Sequence, residues 1–260
     1  MKKIMNKTIT DIGSLKKVFD DLMKDGAIFR GISNRKQLLP KIIRNDKDCS
    51  LEEIKILKMF EQYYGIYTTA NNCWEFLALA QHCGLMTRLI DFTYNPYVAL
   101  FFSLHDKIED GNYEVWIIRK KNIEPLFDSY SSPFQMDSKT GTLSIDDEAF
   151  RNRFDFSMEL KHQFGELKKE SGIITIRPKY RNSRMLMQQG LFVVPTKVNE
   201  KSIIKKFEDK AESIIIDKSI RDEALEYLDK LGFNEFHLMP DLDSLCYEIN
   251  HVFIEGRKVK

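Results

Sequence analysis

Residues 74–105 read WEFLALAQHCGLMTRLIDFTYNPYVALFFSLH. Two apolar runs enclose Gln81, His82, Thr87, Arg88, Asp91 and Thr93. Polar groups between core-forming segments need partners, because a buried unsatisfied one costs about 1–3 kcal/mol. Two readings are open: a ligand site, or an internal network that satisfies itself. The apolar spacing predicts a helix from Trp74 that ends at Gly84, with Gln81 on the stripe of Leu77 and Ala78 and His82 on the face of Trp74. Residues 87–93 alternate as a strand does, which puts Asp91 and Thr93 on one face. Asn95-Pro96 then opens a second helix, apolar nearly all round to Leu104 and therefore buried. The unpaired donors at its start could receive an anion.

Upstream, residues 14–24 have helical spacing, with Ser14 as the expected N-cap and Gly26 just past the end. A short apolar strand, Ala27 to Arg30, follows and meets Gly31, where the missing Cβ lets backbone or ligand come close. Arg30 at the end of such a strand needs acceptors. An ion pair with Asp91 would supply them, and so would a ligand phosphate or carboxylate. Ser50 and Glu53 have capping-box spacing at the head of a helix over 51–64, and Asn72 with Glu75 opens the next.

The chain has 260 residues, 43% of them apolar, and 40 basic against 39 acidic side chains, a formal charge of +1. No global field recruits nucleic acid or an anionic membrane. Cys49, Cys73, Cys83 and Cys246 are scattered without CxxC pairs, so neither a zinc site nor a disulfide framework is expected. The first residues, MKKIMNKTITDIG, lack the apolar run of a signal peptide, and no stretch approaches the roughly 18 apolar residues of a membrane span. A cytoplasmic protein that does not enter a membrane is the expectation.

Downstream, strands are expected at 113–119, 173–177, 191–195 and 213–217. Residues 129–144 read as an exposed loop, and 128–170 as an insertion within a single domain spanning 1–260. Ser219 is the expected cap of a helix ended by Gly232, and 241–253 of a last one. The order fits an α+β domain with a mainly antiparallel sheet flanked by helices. The basic run Arg177, Lys179, Arg181 and Arg184 around Tyr180 reads first as a solvated loop, with nucleic-acid binding the weaker alternative.

The run Gln81-His82-Cys83-Gly84-Leu85-Met86-Thr87-Arg88-Leu89-Ile90-Asp91-Phe92-Thr93 closely resembles the QHxGxxTRLLDxT core of the FRG domain family, with Cys83, Met86 and Phe92 as its departures. The family's Phe-Arg-Gly triplet is matched by Phe29-Arg30-Gly31, followed by Leu39-Pro40 and Arg44. Residues 182–184 with 188–192 look like its third block, and 231–233 with 240–242 like its fourth. The resemblance spans 26–254 and implies a bacterial protein of the kind found beside effector or defence genes. On it rest Gly31, Gln81, His82, Arg88, Asp91 and Arg184 as expected ligand-binding residues.

P-loop, Rossmann, α/β-hydrolase and zincin signatures are missing from the sequence. The adjacent Cys83 and His82 would point about 100° apart on a helix, too far for a nucleophile pair. The order of Arg30, Thr93 and Gln189 is similar to the three-part NAD site of ADP-ribosyltransferases, which makes these three the catalytic candidates and NAD or another nucleotide the expected ligand. Gln189 stands where that comparison wants a Glu, and an amide cannot stabilise positive charge or accept a proton as a carboxylate does. Asp91 and Glu166 are the carboxylates that could substitute. The alternative is a module that senses a ligand or binds a protein partner through the same residues without turnover.

Overall fold

The computed structural model of the protein describes residues 7–33, 38–44, 52–66, 70, 73–123, 134–137, 142–145, 161, 173–176, 183–195, 198, 203, 205, 207, 209–240, 246 and 249–250. In chain order its elements are β1 (Lys7–Ile9), α1 (Ile12–Lys24), β2 (Ile28–Ile32), α2 (Lys41–Arg44), α3 (Glu53–Tyr64), α4 (Cys73–His82), β3 (Ile90–Thr93), α5 (Pro96–Leu104) and β4 (Tyr113–Ile118). There follow α6 (Lys120–Ile123), β5 (Phe134–Asp137), β6 (Thr142–Ile145), β7 (Ile173–Ile176), α7 (Ser183–Met187), β8 (Gly190–Pro195), β9 (Ala211–Ile216), α8 (Arg221–Lys230) and α9 (Glu235–Leu238). The class is α+β: one sheet in the order β1-β9-β4-β2-β3-β8-β7-β6-β5, antiparallel except at β1–β9 and β6–β7.

Alternation along the strands divides the core in two. Ile28 and Ile32 of β2 join Trp116 and Ile118 of β4 in a cluster with α2, α3 and α4. Phe29 joins Tyr113, Val115 and Ile117 in a second cluster with α1, α5 and α8. Neighbouring residues of a strand point to opposite faces, so helices cover both sides of the central strands. No helix among the described residues is long and apolar enough to cross a membrane.

The feature that positions the site is a break in the sheet. β2 pairs with β4 over five residues, and β3 pairs with β8 over four. Between β2 and β3 the ladder is reduced to a single pair, Phe29 with Thr93. Beyond it the strands part, and α5 lies across β2. A Cβ built on Gly31 would fall 1.8 Å from the Ala99 carbonyl oxygen and 2.6 Å from the Ser103 nitrogen. Only glycine lets this helix backbone rest on this strand.

Several boundaries differ from the sequence reading for local reasons. α1 begins at Ile12, capped by Asp11, whose carboxylate accepts from the Ser14 N–H. Ser14 is therefore the residue being capped. α3 begins at Glu53 without a side-chain cap, and Ser50 lies outside the described residues. β3 starts only at Ile90, because Thr87 and Arg88 are tied to α4 and α3 before it. Asp217, not Ser219, makes the cap after β9. Within the expected loop over 129–144, β5 and β6 form an antiparallel pair, and β1 adds an edge strand with no strong pattern in sequence. Most of 128–170, the basic residues 177–181 with Glu166, and nearly all of 241–253 lie outside the described residues.

Candidate functional site

Where β2 and β3 separate, a cavity of about 400 Å³ opens. That size is within the range of roughly 300–1,000 Å³ usual for small-molecule sites. Its wall includes Arg30 and Gly31 from β2, Lys41 and Arg44 from α2, Gln81 and His82 from α4, and Asp91 and Thr93 from β3. Arg184, Gln188 and Gly190 close the far side, with Val98, Ala99 and Phe102 of α5 as apolar wall.

Arg30 stands in for the missing ladder. Its Nη1 donates to the Asp91 carbonyl at 2.6 Å and to Asp91 Oδ2 at 3.4 Å. The peptide oxygen that a neighbouring strand would satisfy is thus taken by a guanidinium. The pairing of Arg30 with Asp91 was one of the two options open from sequence, and it does not exhaust the group, since Arg30 Nε is buried without a hydrogen-bond partner. The Asp91 side chain is 60% exposed.

Gln81 fixes Asp91 from the other side. Its Nε2 donates to Asp91 Oδ2 at 3.1 Å and to the Leu89 carbonyl at 3.3 Å, while its Oε1 accepts from the Thr87 hydroxyl at 2.6 Å. Thr87 Oγ1 in turn accepts from the Leu89 N–H at 3.1 Å. Every polar atom in this chain has one sense, which sets the amide's orientation. It is the internal network reading realised at the edge of a cavity.

Arg88 lies away from the cavity. Its Nε and Nη2 donate to Glu53 Oε2 at 2.8 and 2.6 Å, and its backbone N–H to Oε1 at 3.0 Å, with the pair 4% and 1% exposed. Arg88 therefore anchors residues 87–89 to α3 instead of facing a ligand. Glu53, read from the sequence as half of a capping box, is instead the partner of Arg88. It falls four positions before Leu57 and seven before Phe60, on the inward stripe, so helical spacing could have found it.

Thr93 lines the cavity, but its hydroxyl is engaged: it donates to the Gln188 carbonyl at 2.7 Å and accepts from the Asn95 N–H at 3.0 Å. At 5% exposure it clips β3 to the turn before β8. Two donors at the head of α5 are likewise used, Tyr94 N–H by the Gln189 carbonyl and Tyr97 N–H by Asn95 Oδ1. These two donors of the anion seat expected there are taken by the protein's own acceptors. Gln189 is exposed, sits at φ 46° in the turn before β8, and its side chain is not in the cavity wall, where Gln188 stands instead.

The electrostatics are one-sided. Among the described residues the wall carries Arg30, Lys41, Arg44 and Arg184 against the single carboxylate of Asp91. Lys41 donates to the Gly84 carbonyl at 2.6 Å, and Arg44 Nε to the Leu39 carbonyl at 3.1 Å. Burial, and then the neighbouring Arg30 guanidinium, push the Arg44 pKa down to about 10, so it stays charged at neutral pH. Lys41 carried no signal in sequence. Among the described residues no group of three or more His, Cys, Asp or Glu side chains could hold a metal ion.

This is an α+β domain with a cationic cavity at a break in its sheet. Residues 25–112 match the FRG domain family, and the chain carries an FRG domain. The matched segment includes the Phe-Arg-Gly strand and the whole of 81–93; Arg184 and the turn at 188–190 lie beyond it. Searches of curated proteins and of solved structures returned no match.

Proposed function

We propose that the FRG domain of this chain is a ligand-binding module whose cavity takes a small anionic molecule of the nucleotide class, NAD among the candidates. One observation carries the reading: four cationic side chains face a single, already engaged carboxylate around a cavity large enough for a small molecule. Uncompensated like charges in a partly desolvated cleft raise its affinity for anions, and guanidinium forks suit phosphate geometry. The apolar wall of α5 offers a surface for a base or other flat group.

Turnover of NAD in the manner of an ADP-ribosyltransferase, in a bacterial defence or toxin setting, is the second reading. Arg30 and Thr93 sharing one cavity on facing strands favours it. Against it stand the Thr93 hydroxyl, already used twice, and Gln189, which lies outside the cavity wall. Asp91 is the carboxylate left for such chemistry among the described lining residues.

Thermal-shift titrations with NAD, AMP, ATP and adenosine test the first reading, because a ligand that binds only the folded state raises its melting temperature. A shift with at least one phosphate-bearing nucleotide that disappears in Arg30→Ala is expected. No shift with any of them at millimolar concentration would overturn the proposal. Incubation with nicotinamide-labelled NAD tests the second: released nicotinamide that depends on Asp91 would favour turnover, and bound but intact NAD the binding module.

A further inference from the structure

The positive charge of the cavity is concentrated on one side. Lys41 and Arg44 are three residues apart on α2, a spacing that brings side chains to the same face of a helical turn. Arg30 comes up from β2 on the face where Ile28 and Ile32 pack with α2 and α4. These three cations and Asp91 therefore share a corner with two positive charges in excess. The guanidiniums of Arg30 and Arg44 are close enough for the first to depress the pKa of the second. Like charges held together in a partly desolvated corner are costly without a counter-ion.

We infer that the corner formed by Arg30, Lys41 and Arg44 is a seat for a terminal, doubly charged phosphate, so the preferred ligand is a phosphate monoester and not a diester or a carboxylate. The inference rests on the reading of the cavity as an anionic ligand site and narrows its chemistry. A monoester carries about −1.5 to −2 charges at neutral pH and three acceptor oxygens, which matches the excess charge and the three cationic side chains. A phosphodiester, such as each phosphate within the NAD pyrophosphate, offers one charge and leaves part of the corner uncompensated. Arg30 keeps its contact with Asp91 through Nη1 and meets the phosphate through Nη2, while Lys41, held by the Gly84 carbonyl, supplies a point charge beside it.

Calorimetric titration of the whole chain with AMP, the methyl ester of AMP, adenosine and inorganic phosphate reads this directly. AMP is expected to bind at least about tenfold more tightly than its methyl ester, the worth of one charge-assisted hydrogen bond, and adenosine more weakly still. Arg44→Gln and Lys41→Gln should each erase most of the preference for AMP over the ester. Lys230→Gln, on the surface of α8 and paired with Glu226, should leave it intact. Lys41 is exposed, so its variant serves if Arg44→Gln folds poorly. Equal binding of AMP and its ester would overturn the seat while leaving the nucleotide pocket standing. Inorganic phosphate that binds and is lost in Lys41→Gln would keep the seat even if no nucleotide bound at all. Phosphate binding unaffected by both corner variants would remove it.

Discussion

The guanidinium of Arg30 bonds where a strand partner would, and that substitution keeps a cavity open between two strands that otherwise would zip. Asp91 holds it there, yet the carboxylate is 60% exposed, so the pair itself adds at most about 1 kcal/mol to stability. Asp91→Asn should therefore change the melting temperature little, and by removing the one negative charge in the wall it should tighten anion binding several-fold. Weaker anion binding in that variant, measured by calorimetry, would mean that Asp91 orients Arg30 more than it competes for it. Arg88 is the opposite case. With both partners almost wholly buried, Arg88→Met leaves the Glu53 carboxylate without its counter-charge and should cost about 3–5 kcal/mol in urea unfolding. A loss below 1 kcal/mol would show that Glu53 is neutral or reaches water. The residues of the site were legible to different depths. Arg30, Gln81, His82, Asp91 and Thr93 were marked by charge or hydrogen-bonding capacity inside apolar surroundings, and Arg184 only by the family resemblance; all six stand around one cavity. Arg88 had the same mark for another reason, because an internal ion pair and a ligand contact look alike until the partner is known. Gln189 was placed by analogy of order, and its backbone conformation, which no sequence pattern displays, turns it away.

Among the elements, α5 on β2 is the contact that most constrains the site. Gly31→Ala sets a methyl group against the α5 backbone. Since helix backbone cannot yield as a side chain does, the loss should exceed the roughly 1–3 kcal/mol of ordinary overpacking. A Gly31→Ala protein with unchanged melting temperature would mean that α5 stands further off. The head of the same helix depends on Asn95, whose Oδ1 accepts from Tyr97 N–H. Asn95→Ala should cost about 1 kcal/mol. Central elements were the legible ones: β4, β8, β9, α4 and α5 have patterns set by burial, and burial writes itself into spacing. Edge elements were not. β1 has three residues, and β5 (FQMD) and β6 (TLSI) are short and set among Ser, Pro, Asp and Gly residues whose composition says turn. The break between β2 and β3 was invisible for a different reason: both segments look like ordinary strands, and how far a ladder extends depends on what crosses it.

For the whole molecule, a formal charge of +1 means that attraction for anions is local to the cavity and not a property of the surface. At physiological salt, fields decay over about 8 Å, so distant lysines contribute little. AMP affinity should then fall as sodium chloride rises while that of adenosine stays constant; parallel behaviour of the two would place the charge recognition elsewhere. The sheet consists of a four-strand part, β1-β9-β4-β2, and a five-strand part, β3-β8-β7-β6-β5, joined at a single residue pair. The cavity lies at that joint, with Arg30 from one part and Asp91 from the other bridging it. The central claim is that this joint holds an anionic ligand. A crystal structure determined after soaking with AMP tests it most directly. The phosphate should be found against Arg30 between β2 and β3, with the base toward α5; AMP bound elsewhere, or a joint left empty at saturating concentration, would contradict the account.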